Sequence, residues 1–165
     1  MGTYRTSRNI ERSIIDFLET QLQSEWSNIS VFKTFKQVDN FQLDIKTNKA
    51  CVVVRNSITE HERVELGGYS TRREATILID IFAPHDGLRL DIKDFIIEKV
   101  KGGIPYYNYT IVNGAVDSKV ADGRLTILNI GDEPIDFNTP KEELDIKDRY
   151  RHLITLTVRT GKVEI

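Results

Sequence analysis

A chain of 165 residues can bury about 70% of the surface its unfolded form exposes, so it needs neither metal nor disulfide to fold, and a single domain over residues 1–165 is expected. Hydrophobic residues at 39% and charged residues at 29% exclude the low-apolar, high-net-charge composition of disordered chains. With 23 Lys and Arg against 25 Asp and Glu, the formal charge is -2, which removes any bulk attraction for a phosphate backbone and excludes a general nucleic-acid binder.

The one cysteine, Cys51, lies in the apolar run Ala50 to Val54, where a thiol behaves as a small buried hydrophobe, and it points to a reducing compartment. The first residues lack the apolar core of a signal peptide, and no apolar stretch approaches the roughly 18 residues that cross a bilayer. The expected location is therefore the cytosol of the producing cell, with no membrane partner. Gly2 with Thr6 matches an N-myristoylation signal only loosely.

Residues Arg8 to Trp26 place Ile10, Ile14, Leu18, Leu22 and Trp26 in an i, i+4 row, the stripe of an amphipathic helix. Ile29 to Val38 reads as a strand from its β-branched and aromatic residues. Shorter strands follow at Phe41–Ile45 and Ala50–Arg55, split by the turn-forming run Lys46 to Lys49. Asn56 to Arg73 is polar and contains Gly67-Gly68, so it reads as a long hairpin or extended loop, a candidate contact arm anchored by Arg72 and Arg73. Glu74 to Ala83 is the clearest strand, with Ala75, Ile77, Ile79, Ile81 and Ala83 on one face and Leu78 and Phe82 on the other.

A second helix is predicted from Pro84 and Asp86 to about Lys101, with Asp86 accepting from first-turn amides and Gly102-Gly103 as its stop. Leu88, Ile92, Phe95, Ile96 and Val100 form its inward stripe, while Leu90 and Ile97 fall about 100 degrees or more away. Ile104 to Val112 is a tyrosine-rich strand closed by the Asn113-Gly114 hairpin signal, and Asp122-Gly123 reads as another turn before a strand Arg124 to Ile130. Gly131 to Asp148 breaks regularity and holds seven acids against Lys141 and Lys147, with a short helix expected at Thr139-Pro140-Lys141-Glu142. The last strand runs from about Arg149 to Arg159. Two helices flanking a mainly antiparallel sheet or open barrel make an α+β fold.

Chemistry-bearing patterns are sparse. His61, His85 and His152 are scattered, no paired-cysteine or His-Glu helix spacing occurs, and the glycine pairs lack the lysine and strand-to-helix context of a phosphate loop. Neither a metal nor a cofactor is expected. The best enzymatic candidate is a metal-dependent nuclease set of Asp80, Glu98 and Lys99, but such sites draw acid and lysine from one adjacent strand, and the competing reading gives Asp80 a basic partner such as Arg72 or Arg151.

The stretch TRREATILIDIFAPHDGLRLDIKDFIIEKV, Thr71 to Val100, resembles the tail-terminator and tail-completion proteins of siphophages. The features that carry the resemblance are a basic residue (Arg72 or Arg73) before a long apolar strand (Ile77 to Ala83), a short Asp86-Gly87 turn, and Arg89 opening the next helix. The N-terminal helix, the length and the closing strand RYRHLITLTVRTG follow the same order of elements. The resemblance implies a homo-oligomeric ring, usually a hexamer, that caps the tail-tube protein, ends tube growth and presents a surface to a head-closure or connector protein. It implies no catalytic residues, and a place in the virion neck after assembly in the host cytoplasm. Head-closure and other connector proteins are the neighbouring alternative.

Independently of the resemblance, Leu78, Phe82, Leu90 and Ile97 exceed what a monomeric core of this layout requires, and are read either as interface or as the inner packing of a two-layer core. Arg72 and Arg73 join them as interface candidates. Glu142 and Glu143, in the acidic segment, are the candidates for lining a passage through which DNA moves without specific binding, the alternative being a solvated loop.

Overall fold

The computed structural model describes residues 5–164, so the Gly2 signal lies outside the described residues. The fold is α+β, a curled, half-barrel mixed sheet of six strands with four helices. The elements are α1 (Thr6–Glu25), β1 (Ile29–Phe32), α2 (Phe35–Asp39), β2 (Ala50–Arg63), β3 (Thr71–Phe82), α3 (Asp86–Val100), β4 (Ile104–Val112), β5 (Ala115–Pro134), α4 (Ile146–Arg149) and β6 (Arg151–Glu164). Spatial order is β1-β2-β3-β6-β5-β4, with β1 parallel to β2 and the other pairs antiparallel.

The periodicity of α1 becomes packing. Ile10, Ile14, Leu18 and Leu22 are buried against Val52 and Val54 of β2, the isoleucine row of β3, and Ile154, Leu156 and Val158 of β6. Each such side chain contributes about 1.5–3 kcal/mol on removal from water. Trp26, just past the helix, meets Phe95 of α3 edge-on at 5.1 Å between ring centroids, which ties the two long helices together.

Between α1 and β2 the structure departs from the expected strands. β1 stops at Phe32, because a capping box between Thr34 and Gln37 starts α2, and Phe32, Phe35 and Val38 then recur at helical spacing. Phe41–Ile45 is irregular: the Asp44 carboxylate accepts from the Lys46 amide at 3.1 Å and the Thr47 hydroxyl at 2.9 Å, which fixes a turn.

Three further departures lie later in the chain. His85 and not Asp86 caps α3, with its Nδ1 accepting from the Leu88 amide at 3.2 Å. Asp86 and Gly87 are the first helical residues and not a turn, and Asp86 instead accepts from Arg89 at 2.8 Å. Asn113-Gly114 forms the expected hairpin turn with both residues at positive φ, 54° and 77°. Asp122-Gly123 is no turn: β5 runs through it, and Gly123 at φ 98° absorbs the extra residue of a bulge opposite Pro105–Tyr107. The predicted short helix is a 3₁₀ turn, Lys141–Glu143, capped by Pro140 and not Thr139.

The curl brings the two edges of the sheet toward one another with α1 between them. β4 would otherwise present unpaired backbone groups, yet Ser13 Oγ accepts from the Tyr107 amide at 3.0 Å and Asn9 Oδ1 from the Tyr109 amide at 3.3 Å. Arg8 Nη2 donates to the Tyr109 carbonyl at 2.6 Å. Helix side chains thus seal a strand edge that is open to pairing in most sheets.

Candidate functional site

The ladder of β2 and β3 runs on past an irregularity between Asn56 and Thr59, with Thr59 opposite Ala75 and Arg63 opposite Thr71, and β6 stays paired with β3 to that end, so that only the hairpin tip of this arm reaches beyond the three strands. The Val64 amide donates to the Ser70 carbonyl at 3.1 Å, so the tip, residues 64–70, is closed by backbone as well. Arg73 roots the arm: its guanidinium pairs with Glu164 at 3.0 Å and donates to the Ser7 hydroxyl at 2.7 Å. It is thereby occupied within the chain, whatever contact the arm makes beyond it. Arg72 remains half-buried beside Glu60, Glu62 and Glu74 in a shallow depression on the arm.

The tip is apolar where a solvated loop would be polar. Leu66 stands at 102% and Tyr69 at 87% of full exposure, with Val64 and Ile58 also exposed. The polarity of Asn56 to Arg73 concealed this in the sequence. The available signal was two large apolar residues flanking a Gly-Gly pair whose first member takes φ 78°.

The other interface candidates divide. Leu90 is on the surface of α3 at 39% exposure, and Leu78 is half-buried. Phe82 is 3% exposed, because α2 folds over that end of the sheet and Val38 joins Cys51, Val53 and Phe82 in a second small core. Ile97 is half-buried and packs against the main core. Phe82 and Ile97 therefore serve packing, the two-layer alternative.

Asp80 and the nuclease candidates lie on different sides of the sheet. Ile79 and Ile81 point to the helices, so Asp80 points away from them, whereas Glu98 and Lys99 belong to α3. At 1% exposure, Asp80 accepts from Arg55 at 3.1 Å and Arg151 at 3.3 Å. The Arg151 guanidinium carbon stands 4.6 Å from the Phe82 ring centroid, and that of Arg55 stands 4.9 Å from the Phe35 ring. Arg151 is the partner anticipated for Asp80. Glu98 pairs instead with Lys101, and Lys99 stands over Phe95.

His152 is buried between opposite charges: Arg89 Nη1 donates to its Nδ1 at 2.6 Å, so Nε2 carries the proton that reaches Asp132 at 2.7 Å. This links α3 to β5 and β6. Burial pushes the Cys51 thiol up to about 12, leaving it protonated and unreactive at neutral pH. Among the described residues, no group of three His, Cys, Asp or Glu side chains is placed to hold a metal ion, and no helix is long and apolar enough to cross a membrane.

The acidic segment occupies the end of the sheet opposite the arm, since Pro134 pairs with His152 and Phe82 with Arg151 at that end, while Thr71 pairs with Glu164 at the other. Glu142 and Glu143 are exposed on the 3₁₀ turn. The turn is tied down by Arg149, whose guanidinium donates to the Leu144 carbonyl at 3.1 Å, and Lys147 Nζ reaches the Asp39 carbonyl of α2 at 2.7 Å.

The fold and its surfaces describe an α+β protein with a projecting apolar-tipped arm at one end and an acidic loop at the other. No protein-family model matches the chain, and no curated protein matches its sequence.

Proposed function

We propose that the protein is a structural component of a bacteriophage neck: it assembles as a ring on the last ring of the tail tube, ends tube growth and offers a surface to the head connector. The observation that carries this reading is the arm tip. An ordered hairpin that holds Leu66 and Tyr69 in water gains nothing for its own core, and such exposed apolar groups fit a protein contact. The likeness of Thr71 to Val100 to tail-terminator proteins supplies the tail as the place of assembly. Glu142 and Glu143, at the end away from the arm, fit the wall of a DNA passage, where like charge discourages adhesion.

The test is sedimentation of the purified protein alone and with purified tail-tube protein. A ring, formed alone or on the tube, is the expected product, and Leu66→Ser with Tyr69→Ser should diminish it while leaving the fold intact. A protein that stays monomeric in both settings overturns the reading.

A further inference from the structure

Deepening that reading and resting on it for self-assembly, we propose that the arm's partner is a second copy of this chain: the tip of one subunit's arm seats in the cleft between α1 and the β4–β5 turn of the next. The cleft is a hollow of about 130 Å³ lined by Arg8 and Arg12 of α1, Lys33 just past β1, and Ile111 and Gly114 at the turn. It exists because α1 fills the space between the two edges of the curled sheet without covering it flush.

Its chemistry is the complement of the tip's. Three cations surround the cleft against one carboxylate, Glu11. Over residues 59–75 the arm carries Glu60, Glu62, Glu65 and Glu74 against Arg63, Arg72 and Arg73; Arg73 is paired with Glu164, Glu74 with Arg159, and the Arg63 guanidinium is turned back onto the Gly68 carbonyl, which leaves a small acidic excess. Among the described residues neither Arg12 nor Lys33 has an ion-pair partner. The apolar parts match too. Ile111 of the cleft pairs with Val116 and so shares a face of the hairpin with it, and Val116 is exposed there as Val64, Leu66 and Tyr69 are at the tip. An apolar tip that holds Glu65, on an arm with a small acidic excess, thus meets a basic cleft with an apolar rim.

Tip and cleft are different patches of one subunit, so the contact is head-to-tail and repeats from copy to copy, which gives a ring where the rotation closes. The short tip covers less than the about 800 Å² per partner of a standard stable interface, so free subunits associate weakly and in a salt-dependent way, and a template that fixes neighbours raises occupancy.

Engineered cysteines test the contact in the full-length protein, since Cys51 is buried and stays out of exchange. Under oxidised glutathione, the double variant Leu66→Cys with Val116→Cys should give a ladder of disulfide-linked dimers, trimers and larger species. A mixture of the two single variants should give heterodimers, and each alone no more than background. Adding Glu62→Lys and Glu65→Lys should cut the ladder at least tenfold, and Arg12→Glu with Lys33→Glu should restore it. A ladder no stronger than the single-variant background overturns the contact. Rings in sedimentation without a ladder overturn it while leaving the neck reading intact, and place the tip on the tube protein or another partner. A ladder without rings, alone or on the tube, keeps the contact and removes the neck reading.

Discussion

Replacing Asp80 with alanine removes a carboxylate that is 1% exposed and leaves Arg151 without its partner in the sheet, so the cost is worked from burial and not from a count of ion pairs. Two unit charges about 4 Å apart attract by about 4 kcal/mol at the effective dielectric of a partly wet site. The two arginines share this unequally. The Arg55 side chain is 40% exposed, so its share falls to the ~1 kcal/mol or less of surface pairs. Arg151 is 17% exposed and lies against Phe82, which places most of the loss there. Its remaining carboxylate, Asp148 at 3.4 Å, offsets part of it. The expectation is about 3 kcal/mol for Asp80→Ala, at the lower end for a broken buried pair. In urea, with a slope of about 2 kcal/mol per molar, the midpoint drops by about 1.5 M at unchanged slope. Arg55→Gln should cost no more than about 1 kcal/mol. The Asp80 effect should survive 1 M salt, where surface pairs are screened within about 3 Å. A midpoint shift under about 0.5 M for Asp80→Ala, or an equal cost for Arg55→Gln, refutes the assignment of Asp80 as a buried structural anchor.

Tyr109→Phe should cost about 1.5 kcal/mol, because the phenol donates to the Asp16 carboxylate at 2.6 Å. Burial first, and that hydrogen bond second, raise the Tyr109 phenol above its ordinary 10.0, so the folded state holds this proton more tightly than the unfolded state. The associated stability is complete below that pH and is lost as pH rises past it; thermal melts should fall on the alkaline side, less steeply for Tyr109→Phe, and parallel slopes would contradict this. Leu90→Glu should change stability by less than about 0.5 kcal/mol, whereas Ile97→Glu should cost about 1–3 kcal/mol in the same melts. Equal costs would undo the division of α3 into an exposed and a packed residue. On the proposed neck function, Glu142→Lys with Glu143→Lys should leave folding and ring formation intact yet slow genome ejection, since repulsion or attraction at these positions reaches only about 8–10 Å at physiological salt. Normal infection would make the segment a solvated loop.

The two long helices and the isoleucine strand were readable because burial there follows one period without interruption. Thr71–Phe82 alternates, and every helix-facing member from Ala75 to Ile81 is buried. Misreadings arose where one local pattern serves two structures. Phe32, Phe35 and Val38 satisfy a strand or a helix, and the Thr34–Gln37 capping box decided for the helix. Asp122-Gly123 has the composition of a turn, but β6 offers β5 a continuous partner beyond it, and the glycine relieves an added residue instead. Phe82 looked surplus because the element that covers it, α2, was itself misread. The arm was legible as a hairpin, but its apolar tip emerges only once the ladder carries residues 64–70 clear of the core.

Sealing β4 with α1 sets an order for the chain during synthesis. The residues that meet, Asn9 and Tyr109, are 100 positions apart. At the usual 5–20 residues per second, the first leaves the ribosome about 5–20 s before the second. Throughout that interval the apolar stripe of α1 has only the early strands to pack on, and α1 must hold its place at the margin of an unfinished sheet. When the tyrosine strand emerges, its outer backbone groups meet seated side chains instead of water, so the strand most able to pair with another nascent chain is protected as it forms. A circular permutation that moves α1 to the end of the chain would keep every contact and reverse this timing, leaving that strand bare during synthesis.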